Sequence, residues 1–167
     1  MAYDARAVAN FLLDYADQRG RPVTHLTLQK IIYFCHAWHL ALHDEPLVGD
    51  PVEAWGHGPV FRSVYKSLKS ARREPVDFRA KGMNFQRGKE EIIRYEFDDE
   101  LKFFMTNIFD VYTKYTASDL RRISHRKGGP WDQIWSRGSQ GAFAGMRIPN
   151  ALIGKYFRED SQGLPFH

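Results

Sequence analysis

The stretch from Thr24 to His43, THLTLQKIIYFCHAWHLALH, limits what this chain can fold into more than any other. Leu28, Ile31, Ile32, Cys35, Trp38 and Leu42 recur at the spacing of one helical face. Tyr33, Phe34, Ala37, Leu40 and Ala41 fill most of the opposite side. A helix apolar nearly all round has to be buried, because otherwise lipid or a partner must cover it. The run is too short to span a bilayer, and Gln29, Lys30 and the histidines interrupt it. The expectation is a central core helix. On a helical wheel Gln29, His36, His39 and His43 share a narrow stripe, which is expected to face water or a bound partner.

With 167 residues the chain is long enough for one domain with a real core. Hydrophobic and charged contents of 43% and 26% exclude a disordered chain. Aromatics at 14% point to a ring-rich core, a recognition surface, or both. A net charge of +4 permits an acidic or nucleic-acid partner without demanding one. The single cysteine, Cys35, rules out an internal disulfide and reads as a buried hydrophobe. The opening residues lack the apolar core of a signal peptide, so the expected location is cytoplasmic.

Along the chain, Asp4 caps a first helix that runs to about Gln18 and stops at Gly20. After His43, closely spaced Pro and Gly leave room for one short strand, Val52 to Trp55. Pro59 is placed in the first turn of a third helix whose buried face is Val60, Phe61, Val64, Tyr65 and Leu68. Residues 75–97 are the least readable; the expected element is a hairpin pairing 76–85 with 92–97. A strong helical pattern returns from Leu101 to Tyr115. Thr116 and Asp119 form a capping box for a short helix, Pro130 opens another, and residues 136–145 read as a loop. A last helix spans Ile148 to Phe157, with Pro149 in its first turn. The expected fold is therefore mainly α, a single-domain helical bundle over 1–157 with a small antiparallel β element. Residues 158–167 are expected to form a flexible tail.

Catalytic signals are absent. No serine sits in a GxSxG elbow and no nucleophile stands beside an oriented base, so the expectation is no enzyme and no cofactor. His36, His39 and His43 share a helix side but lack the carboxylate of an HExxH site, so no metal is expected. Gly56-His57-Gly58-Pro59 lacks the lysine and hydroxyl of a P-loop. Basic pairs at Arg121-Arg122 and Arg126-Lys127 flank two short helices, a loose imitation of helix-turn-helix. Trp131, Ile134 and Trp135 would burden its second helix with bulky apolar groups. Nucleic acid is thus the secondary expectation, in the form of a small DNA- or RNA-binding regulator.

An ordered set of local signatures is more specific than any one of them. It consists of LQKIIYF from Leu28, EAWGHGPV from Glu53, and Pro130-Trp131. Together these resemble the Panacea-domain family of SocA-like, GepA-type antitoxins, over nearly the whole chain from Asp4 to about Phe157. The resemblance implies a non-enzymatic antitoxin that neutralises a cognate protein toxin by direct binding, or delivers it to a protease or its adaptor. The residues expected to meet a partner are Trp55, His57, Arg62, Tyr65, His36, His39, His43 and Trp131.

Overall fold

The computed structural model describes residues 1–138 and 146–160. Asp4 opens helix α1 (Ala5–Arg19) by accepting a hydrogen bond from the Arg6 backbone N–H, and Gly20 closes it at φ 64°. Thr24 caps helix α2 (His25–His43) by accepting from the Thr27 N–H. Every residue from Leu28 to Trp38 is buried, polar ones included. The oily run emerges only in its last turn, where Leu42 is 48% exposed. Around α2 pack α1, α3 (Arg62–Leu68), α4 (Asp99–Tyr112), α5 (Ala117–Ser124) and α7 (Asn150–Glu159). Helix α6 (Pro130–Gly138) lies between α5 and α7 in sequence. The Thr116–Asp119 capping box forms as expected.

Two small antiparallel sheets complete the mainly α fold. One has strand order β2-β1-β5, built from β1 (Glu53–Trp55), β2 (Gly58–Val60) and β5 (Met146–Arg147). Pro59 therefore lies in a strand rather than in the first turn of α3. The reason lies in α2. The Gln29 side-chain amide donates to the Phe61 carbonyl and accepts from the Phe61 N–H, both at 3.0 Å, so the backbone there stays extended.

The second sheet is a hairpin of β3 (Lys81–Asn84) and β4 (Lys89–Ile92), a tighter and earlier pairing than the sequence suggests. Asn84 Oδ1 accepts from the Gln86 and Arg87 N–H groups, and Gly88 supplies φ 65°, which together make the four-residue turn. Residues 94–97 leave the pairing, whose last bond is Ile93 N–H to the Ala80 carbonyl, and pack on α1 instead: Tyr95 and Phe97 meet Phe11 edge to face at 5.4 and 5.6 Å. Asn10 of α1 holds the base of the hairpin, donating to the Ala80 and Ile93 carbonyls and accepting from the Ala80 N–H.

The expected water-facing stripe on α2 needs correcting. Gln29 and His36 are 1% and 0% exposed. The chain after α2 folds back over this side, so Leu47, Val48 and Val52 are buried as well. His36 Nδ1 accepts from the Val48 N–H at 3.2 Å, which leaves Nε2 to donate to Asn150 Oδ1 at 2.9 Å. Burial pulls this imidazole down to about 4, so it is neutral in the folded protein. Helix α7 continues through Arg158 and Glu159, where the sequence suggests a tail; residues 161–167 lie outside the described residues. Ser136 belongs to α6, and the rest of the expected loop, 139–145, also lies outside them.

Candidate functional site

The β1–β2 register sets Trp55 opposite Gly58 and leaves Gly56 and His57 as the turn. Gly58 has φ 111°, and a Cβ there would lie 3.1 Å from His125 Nε2 and 3.3 Å from Ser124 Oγ. Only glycine lets the turn sit this close to α5. Beneath the turn, Trp131 Nε1 donates to the Trp55 carbonyl at 2.7 Å. The Trp131 ring stacks on His125 at 3.7 Å and on Trp135 at 5.4 Å. Trp131 is buried and supports the turn from below. Its half-buried neighbour Trp135 packs against Gly56 and takes the outer position.

Above this base, Trp55 and Tyr65 are half-buried and meet at 4.8 Å, while His57 and Arg62 are exposed. The Arg62 guanidinium lies 5.8 Å from the Trp55 ring centroid and is held by Glu53 through two hydrogen bonds of 2.9 and 2.7 Å. The same carboxylate accepts from Trp55 Nε1 at 3.3 Å. The Arg62 hydrogen bonds hold Glu53, which is 8% exposed, below the usual carboxylate range. A planar cation, two rings and a fixed anion form a pre-ordered platform. Such groups lose little conformational freedom when a partner covers them.

His39 and His43 do not join that platform. They sit nearer the other end of α2, about 14 and 20 Å from Lys30 along the axis at 1.5 Å per residue. Their rings are 4.8 Å apart, and both stand against Phe104. His39 Nδ1 donates to the Glu45 carbonyl at 2.6 Å. A depression of about 650 Å3 opens here, lined by these histidines with Leu42, Phe103 and Phe104. Among the described residues no group of three or more His, Cys, Asp or Glu is arranged to hold a metal. Cys35 is fully buried, which pushes its thiol up and away from reactivity. No helix among the described residues is long and apolar enough to cross a membrane.

Comparison with known proteins assigns this architecture. Residues 28–132 match the family model described as "Antitoxin SocA-like, Panacea domain". The chain is also 34% identical over 155 residues to "Antitoxin SocA" of Caulobacter vibrioides (strain NA1000 / CB15N), covering 93% of this chain and 82% of that protein. The chain belongs to the SocA-like Panacea family. No solved structure matches it. The Panacea match begins at Leu28 and ends just past Trp131, so it contains Glu53, Trp55, His57, Arg62 and Tyr65 but not Trp135.

One member of the LQK signature has a role that its sequence position does not announce. Lys30 is 7% exposed, and its Nζ donates to the His57 carbonyl at 2.9 Å, tying the turn to α2. Burial, with the Arg121 charge adding to it, pulls the ammonium down to about 8. Folding therefore releases the proton more readily than the unfolded chain does. The charged form carries its full cost below about pH 8, and stability rises with pH until the unfolded lysine also titrates near its ordinary value. Between about pH 7.5 and about pH 9.5 this gain amounts to about 2 kcal/mol. Lys30→Met should abolish that rise relative to the native chain, as measured by urea unfolding at both pH values. At neutral pH it should fold at least as stably. Parallel pH profiles for the two proteins would contradict the assignment.

Proposed function

We propose that this protein is an antitoxin that neutralises a protein toxin by gripping it through the platform of Trp55, His57, Arg62, Tyr65 and Trp135. The observation that carries the reading is the pre-ordered Arg62–Trp55–Tyr65 arrangement around the β1–β2 turn. Aromatic rings and arginine dominate the binding energy of protein interfaces, and here they stand together at the surface. The antitoxin name of its relative supports the direction of the effect. The buried thiol and the neutral, fully hydrogen-bonded His36 fit a protein that works by binding rather than by catalysis.

The test is co-expression with the protein encoded beside it. That neighbour should arrest growth when expressed alone, and this chain should restore growth. A harmless neighbour, or arrest that persists, contradicts the antitoxin reading. The same cultures separate two mechanisms. Masking leaves the toxin's half-life unchanged or longer, whereas delivery to a protease shortens it in a protease-dependent way.

A further inference from the structure

A pocket of about 320 Å3 lies between the N-terminal ends of α2 and α5, outside the proposed toxin platform except for a shared edge at His57. Lys30, Arg72, Arg73 and Arg121 line it together with the hydroxyls of Thr27 and Ser118, and among the described residues no carboxylate does. Several arginines elsewhere are neutralised, Arg6 by Asp4, Arg62 by Glu53 and Arg79 by Asp14 and Asp17. Arg72, Arg73 and Arg121 have no ion pair or side-chain hydrogen bond among the described residues. Lys30 is buried at the floor and spends one of its three donors on His57, while the three arginines are exposed at the mouth. Arg72 holds φ 54° and ψ −122°, a backbone conformation costly for a residue with a side chain.

Four like charges gathered without an anion repel one another, and a cleft of one sign concentrates the opposite charge within it. A planar carboxylate offers two oxygens and one negative charge. A phosphoryl group offers more oxygens and up to two charges, which suits four cations that converge from separate elements. The helix dipoles of α2 and α5 add positive potential on the same side. We propose that this pocket binds the phosphoryl groups of a small phosphate compound, with Lys30 beneath them and Arg72, Arg73 and Arg121 around them. The limited volume favours one compact di- or polyphosphate over a track of nucleic-acid phosphates.

The experiment is calorimetric titration of the whole chain at low salt with inorganic pyrophosphate, adenosine diphosphate and citrate. Pyrophosphate should bind saturably, and citrate at least about tenfold more weakly. Arg121→Ala and the double variant Arg72→Ala/Arg73→Ala should each weaken pyrophosphate by about tenfold or more. Lys30→Met, expected to remain folded, should do likewise. Equal affinities for pyrophosphate and adenosine diphosphate identify a phosphate-only ligand; tighter adenosine diphosphate identifies a nucleotide. No saturable heat, citrate binding as tightly as pyrophosphate, or variants that bind unchanged would each overturn the proposal. So would a short single-stranded RNA that binds with steep salt dependence where pyrophosphate does not. No toxin enters the experiment, so its outcome is separate from the antitoxin reading.

Discussion

Trp38→Ala should destabilise the fold by about 4–5 kcal/mol, enough to remove a large share of the stability of a domain this size. Trp38 is 1% exposed, and its ring meets Phe157 of α7 edge to face at 5.1 Å. Its Nε1 donates to the Tyr112 hydroxyl at 2.8 Å, and the Tyr112 ring stacks on Phe34 at 4.0 Å. Truncation therefore opens a cavity where α2, α4 and α7 meet and leaves a largely buried hydroxyl without its donor. Trp38→Phe keeps most of the volume but loses the N–H, so it should cost about 1–3 kcal/mol. Urea unfolding of both variants checks the ordering. A loss under about 2 kcal/mol for alanine means that α2 is not the packing centre described here.

Asn10→Ala should cost about 3 kcal/mol, because one side chain serves three backbone groups at the base of the β3–β4 hairpin. The Ala80 N–H is buried and would lose its acceptor. Asn10→Asp is nearly the same shape, yet it sets a carboxylate oxygen against the Ala80 and Ile93 carbonyls and should be no better. Hydrogen exchange makes the expectation local. Amides of residues 81–92 should lose protection well before those of α2. Uniform loss across the chain would show that the hairpin is not anchored through this residue.

That anchoring explains why residues 75–97 resist reading from sequence. Their register is set by polar groups on α1: Asn10 at the base, and Asp14, which accepts from Tyr95 Oη and pairs with Arg79. None of this is periodic along the segment itself. Helix ends are legible for the opposite reason, since Asp4, Gly20, Thr24 and the Thr116–Asp119 box act within a few residues of where they stand. The α2 stripe misleads because its partners are remote: Gln29 answers Phe61, and His36 answers Val48 and Asn150. Helical spacing shows which side chains share a face but not what covers it. The candidate site divides along the same line. Trp55, His57, Arg62 and Tyr65 gather around one turn, whereas His39 and His43 stand at the far end of α2 beside Phe103 and Phe104. Trp135, Glu53 and the basic pocket escape a sequence reading because tertiary contacts join residues far apart in the chain.

The proposed grip on a toxin at the β1–β2 turn is tested most directly by one affinity comparison, made with the growth-arresting protein that co-expression identifies. The toxin is titrated calorimetrically with the native chain, Trp55→Ala, Arg62→Ala and Phe103→Ala, after circular dichroism has shown each variant folded. The first two variants should weaken binding by about 30- to 1,000-fold, equivalent to about 2–4 kcal/mol. Phe103→Ala, in the depression at the other end of α2, should stay within about threefold of native. Native affinity in Trp55→Ala and Arg62→Ala, with the loss falling on Phe103→Ala, would contradict the account.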